Sequence, residues 1–145
     1  MGKFRDKVTH EQLVAARDLF KNEKPSIKEL KSLGMPEYSG ISFLSKIRMF
    51  FSPTNSATLD RQIMKMKFQG YPTVLDSVSF TEKETLIRPS GANSNGYELW
   101  CEKLINISSV YFDGKYRPVD VERGFFHMIA NLDQSNYAAE ILNKS

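Results

Sequence analysis

The residues best suited to chemistry lie between Gly40 and Asp60, in GISFLSKIRMFFSPTNSATLD. Lys46 falls inside an otherwise apolar helical stretch, and Asp60 follows fourteen residues later, after a Pro/Asn/Ser loop and where a new helix should begin. That separation allows two turns of helix and a loop that brings the chain back, so that amine and carboxylate can face each other. An amine opposite a carboxylate at a helix start can act as a nucleophile on a sugar carbon. The same two residues also read as a lysine whose stem covers apolar surface and an aspartate that caps a helix.

Helical periodicity supplies the frame that would position them. Thr9 and Gln12 have reciprocal capping spacing, and Leu13, Ala16, Leu19 and Phe20 recur at helical intervals, which predicts a first helix from about 10 to 22. Ser26 and Glu29 start a short second helix, SIKELKSL, ended by Gly34. GMPEYSG is turn chemistry, so the chain reads as helix, tight glycine-bearing turn, helix. In such a hairpin the backbone N–H groups and the positive end of the next helix can hold a phosphate, or the turn can be a plain connector. The following helix, ISFLSKIRMFF, presents Ile41, Leu44, Ile47 and Phe51 on one face, with Lys46 beside it. Asp60 reads as the N-cap of RQIMKMKF, whose Arg61, Lys65 and Lys67 either track phosphates or form a solvated face.

From Gly70 to Gly96 the periodicity lapses; the stretch reads as an ordered surface excursion with SGANSNG as a flexible tip and room for a short strand pair in 74–88. Helical spacing returns in YELWCEKLINISSVY through Leu99, Trp100, Leu104, Ile107, Val110 and Tyr111, with Cys101 on the core side. VDVERGFFHMIANL, opened by Pro118 or Asp120, should turn Phe125, Phe126, Ile129 and Leu132 inward, with His127 satisfied in packing, and a last short helix ends the chain.

These elements predict a mainly α fold, a single compact domain over 1–145 with a helix-hairpin-helix core at about 26–68 and C-terminal helices at about 97–143. A chain of 145 residues can bury enough surface to fold without disulfides or metals. Cys101 is the only cysteine, and His10 and His127 are far apart, so no zinc, other metal or cofactor is expected, and the setting should be reducing and cytoplasmic. MGKFRDKVTHEQ lacks the apolar core of a signal peptide, Gly2 lacks the Ser or Thr four positions on that myristoylation favours, and no run is long enough to span a bilayer; no membrane partner is expected. A net charge of +3 permits nucleic-acid binding without requiring it. The sequence carries no signal for an oligomeric state.

SKIRMFF, a Pro-containing loop and TLDRQI together resemble the helix-hairpin-helix DNA glycosylases, and look closest to short bacterial proteins related to 8-oxoguanine DNA glycosylase. YELWCEKL and YRPVDVERGFF resemble the downstream helices of that branch, so the likeness covers about residues 36–130. The resemblance implies a DNA-repair, base-excision enzyme acting on damaged duplex DNA near the nucleoid. Lys46 would attack the sugar C1′ of a flipped nucleotide carrying an oxidised purine, optionally with strand cleavage, making the protein a glycosylase and abasic-site lyase. Asp60 would support the nucleophile and the developing sugar cation. Ser39, Gly40, Ile41 and Ser42 would hold a phosphate, Arg48, Arg61 and Lys65 would contact DNA, and Phe43, Tyr97 and Trp100 would line the base pocket. The chain departs from the family pattern where Ser42 replaces the second hairpin glycine, and in having only two short helices before the hairpin. Two other readings stand beside this one: a non-catalytic DNA-binding module that keeps the hairpin, and a helical protein-interaction subunit.

Overall fold

The computed structural model describes residues 7–22 and 24–145, so the reading of Gly2 and Asp6 lies outside the described residues. Among the described residues the chain is mainly α-helical with no strand. The helices are α1 (His10–Leu19), α2 (Ile27–Ser32), α3 (Ile41–Phe51), α4 (Arg61–Met64), α5 (Gly91–Phe112), α6 (Pro118–Ala130) and α7 (Ser135–Lys144). α4 runs on as a 3₁₀ helix, Lys65–Gln69, that stops at Gly70 with φ +84°; a second 3₁₀ turn spans Val74–Ser77.

Local chemistry accounts for most boundaries. Thr9 and Gln12 form the capping box of α1, and Ser26 and Glu29 that of α2. Pro118 opens α6, where its missing N–H is no loss. Asp113 and Gly114 leave α5 in the left-handed region, and the Gly114 N–H returns to the Ser108 carbonyl at 2.9 Å.

The structure revises three expectations. α5 begins at Gly91, so SGANSNG is its cap and first turns rather than a flexible tip. Tertiary contacts outweigh the poor helix propensity there. The Ser90 Oγ accepts the Asn93 N–H at 3.2 Å, while the buried Asn93 amide accepts from the Ser79 N–H at 2.7 Å and donates to the Ser79 and Arg88 carbonyls at 3.1 and 2.9 Å. That clamp also replaces the strand pair: residues 78–88 satisfy part of their backbone on Asn93 and on α3 instead of on each other. Gly96 is needed for the close approach, since a Cβ would lie 2.7 Å from Val78 Cγ2.

Second, the buried face of α3 is Ile41, Leu44, Ser45 and Arg48, rotated from the expected one, and Phe50 is 75% exposed. Phe51 stacks on Phe20 at 3.9 Å instead of entering the core. Third, Leu99, Val110, Tyr111, Leu132 and His127 lie outward; the inner stripe of α5 runs Tyr97, Trp100, Cys101, Leu104, Ile107, and that of α6 runs Val119, Glu122, Phe125, Ile129. The core gathers these stripes with Ile27, Leu30, Ile63, Met64, Met66 and Leu142.

Candidate active site

Residues 56–59 link α3 to α4 in non-helical backbone, yet all four are buried. Buried backbone without a regular ladder needs side-chain partners; α3 and α5 supply three of these, and a fourth bond holds the Ser56 side chain. The Arg48 Nε donates to Ser56 Oγ at 3.1 Å, the Tyr97 hydroxyl to the Ala57 carbonyl at 2.8 Å, and the Trp100 Nε1 to the Thr58 carbonyl at 2.9 Å. The Leu59 N–H in turn donates to Ser45 Oγ at 3.0 Å. The neighbour of Lys46 is thus bonded to the neighbour of Asp60, which fixes the register between the amine helix and the carboxylate.

Asp60 is the N-cap of α4: its Oδ1 accepts the Gln62 and Ile63 N–H groups at 2.9 and 3.1 Å. Both amides use the same oxygen, leaving Oδ2 without a hydrogen bond to the described residues. Lys46 is exposed, one residue after the buried Ser45. Into the same region α6 brings Glu122, only 4% exposed and in no ion pair among the described residues. Burial first, and the Asp60 charge after it, push the Glu122 carboxyl up to about 7; the Thr58 hydroxyl, Arg123 and Lys46 pull the other way. Lys46, Asp60 and Glu122 therefore share one electrostatic neighbourhood. Glu122 was missed as a site residue, although the signal was present: it occupies an inward position in the stripe Val119, Glu122, Phe125, Ile129, where a carboxylate is out of place.

Three expected site residues lie elsewhere. Arg48 is 0% exposed, and its guanidinium grips both carboxylate oxygens of Glu98 while its Cζ lies 5.1 Å from the Tyr97 ring centre. A phosphate cannot reach it. Burial opposes the charge on Glu98, but Arg48 and Lys24 outweigh that and hold its carboxyl below the usual range. Tyr97 and Trp100 are wholly enclosed, with their polar atoms committed to Ala57 and Thr58; they hold the loop and do not line a base pocket. Burial pushes the Tyr97 hydroxyl well up and raises the Cys101 thiol beside it, so neither is an ionised nucleophile at neutral pH.

Phe43 is partly exposed and packs on Tyr38 at 5.6 Å. At the hairpin, Ser39 is exposed, Gly40 and the Ile41 side chain are buried, and Ser42 is half-buried. The Ile41 N–H donates to the Ile87 carbonyl at 2.9 Å, so one of the amides at this helix start is already used by the chain. Arg61 and Lys65 are exposed and border a common cavity, whereas the Lys67 ammonium is bonded to the Val78 carbonyl.

Among the described residues no cluster of three His, Cys, Asp or Glu could hold a metal ion, and no helix is long and apolar enough to cross a membrane. Compared with known proteins, the chain matches no family model, no curated protein and no solved structure.

Proposed function

We propose that the protein is a glycosylase-type enzyme that removes a damaged base, of the oxidised purine kind, from DNA. In this reading the Lys46 amine attacks C1′ of an extruded nucleotide. The C1′–N bond to the base breaks, and the base leaves with the electron pair and takes up a proton. Loss of a proton from the new C–N nitrogen and opening of the sugar ring give a Schiff base, which water hydrolyses or which loses a C2′ proton and expels the 3′ phosphate. The free Asp60 Oδ2 supports the cationic sugar. A group of pKa about 7, as Glu122 has, suits proton transfer to or from the reacting atoms. Phosphate contact falls to Arg61, Lys65 and the amides around Ser39, Gly40 and Ser42, and of the expected pocket aromatics only Phe43, three residues before Lys46 on α3, is exposed.

The observation that carries the reading is the Ser45–Leu59 hydrogen bond, which holds Lys46 and Asp60 in register beside Glu122. A second reading, a helical interaction subunit, is favoured by the exposed Val110, Tyr111, Phe112, Tyr116, Tyr137 and Ile141. Borohydride trapping on duplexes carrying 8-oxoguanine, uracil or an abasic site decides between them. A covalent adduct lost with Lys46→Gln supports the enzyme. No adduct and no base release from a folded protein removes it, and absence of DNA binding as well favours the interaction subunit.

A further inference from the structure

The C-terminal helices carry an apolar face that the fold leaves uncovered. Val110, Tyr111, Phe112, Tyr116, Tyr137 and Ile141 are each 36 to 63% exposed, and they come from the end of α5, the turn after it and α7. Between those elements and α6 runs a groove of about 330 Å³, walled by Phe112, Tyr116, Phe125, Met128 and Ile141, with Gly124 beside them on α6. Tyr111 lies one helical turn beyond Ile107, and Tyr137 one turn before Ile141, both residues of the groove. A tyrosine therefore stands on either side of the opening.

Gly124 occupies the interior of α6, where glycine costs about 1 kcal/mol relative to alanine. No packing among the described residues requires it, since an added Cβ would meet no atom within 4 Å. What the missing side chain provides is a notch in the groove, into which a side chain from outside the molecule can sink.

Area, charge and shape together identify that outside group as belonging to a second copy of the chain. A homodimer interface of standard size takes about 800 Å² from each partner, about two-thirds of it apolar, or roughly 500 Å². Four aromatic side chains of roughly 150–250 Å² each, half exposed, with Val110 and Ile141 beside them, supply about that much in one patch. The chain as a whole carries +3, which sets two copies against each other, but the charges interspersed with this face are paired: Asp113 with Lys115, Arg117 with Asp120, Glu140 with Lys144. The face meets its own image without like-charge repulsion and offers a strongly charged partner little to hold. It also presents a groove and projecting tyrosines side by side, as a two-fold contact of one surface with itself requires. We propose that the protein forms a two-fold homodimer through this face, the tyrosines beside each groove entering the groove of the other copy at Gly124. Such a dimer requires neither Lys46 chemistry nor nucleic acid.

Sedimentation velocity of the purified protein over about 1 to 100 µM, a range in which interfaces of this size associate, tests it. The expected result is a species of twice the 16.6 kDa chain mass that gains with concentration and grows no further. Tyr111→Ser combined with Tyr137→Ser, and separately Gly124→Leu, whose side chain fills the groove, should each weaken association at least about tenfold. Phe50→Ser, at a side chain more exposed than any of the six but on α3, should leave it unchanged. In the unaltered protein, the NMR amide signals of Val121, Gly124 and Met128 should shift between dilute and concentrated samples while those of residues 56–59 hold, a readout that depends on no variant folding. A monomer at every concentration leaves the face to a different partner and overturns the dimer. So does association that survives both groove variants or is lost equally with Phe50→Ser, a mass that keeps growing with concentration, or amide shifts that fall outside the groove.

Discussion

Replacing Glu122 by glutamine keeps the side-chain volume and removes the titration, so it isolates what that carboxyl does to the folded state. Burial above all pushes Glu122 from an ordinary value of 4.5 up to about 7. Below about pH 4.5 folded and unfolded chains both carry the proton, and the group contributes nothing. Between about 4.5 and 7 the folded state binds more protons than the unfolded one, so stability falls as pH rises, by about 1.4 kcal/mol per unit. Above 7 the loss is complete, a difference of about 2.5 units or roughly 3 kcal/mol. Glu122→Gln should therefore match the parent near pH 4.5 and exceed it at pH 8 by about 3 kcal/mol, roughly 6–12 °C in Tm for a chain of this size. Urea and thermal unfolding of both proteins between pH 4.5 and 8.5 measure this. Taking the difference cancels carboxylates of opposite sign, among them Glu98, which Arg48 and Lys24 hold low. An offset that is the same at pH 5 and pH 8, or a variant less stable than the parent at pH 8, would refute the reasoning.

Arg48→Met should cost about 3 kcal/mol in denaturant unfolding, at the low end for breaking a buried pair because Glu98 retains some solvent and Lys24 at 3.6 Å. Ser45→Ala leaves the buried Leu59 N–H unpaired and should cost about 1–3 kcal/mol; in a trapping assay it should also lower adduct yield, because the Lys46–Asp60 register loosens. Two glycines should respond in opposite directions to alanine. At Gly96 the new Cβ meets Val78 Cγ2 at 2.7 Å and the Ser77 carbonyl oxygen at 3.1 Å, so crowding should destabilise by about 1–3 kcal/mol. At Gly124, inside α6 with nothing within 4 Å, alanine should stabilise by about 0.5–1 kcal/mol, read as a rise in Tm.

What the sequence made legible was local in origin. The capping boxes at Thr9 and Ser26, the Asp60 cap and Pro118 at the start of α6 are all settled within three residues along the chain, and each appears as expected. The start of α5 was not legible, because SGANSNG becomes helical only when Asn93 can bond to residues 79 and 88 and Gly96 can press against Val78. Arg48 misled for a related reason. A lone arginine on a helix reads as solvated, and the partner that permits its burial, Glu98, lies fifty residues away. The expected α3 face failed with it, since the inner positions Ser45 and Arg48 are polar and the apolar Phe50 is outside.

That polar inner face is what ties the fold to the candidate site. An apolar α3 face could pack against many backbones, but it could not satisfy the amides and carbonyls of a buried irregular segment. Ser45 and Arg48 from α3, with Tyr97 and Trp100 from α5, each answer a different residue of 56–59, so sliding either helix by one residue would break its bonds to the segment. Asp60 follows directly and spends one oxygen capping α4, which anchors the carboxylate to two rigid helices and a third that it starts itself. Lys46 lies on the exposed side of α3, one residue after the buried Ser45. In the proposed reaction a carboxylate held in place would support an amine that must reach a substrate atom and then carry it covalently.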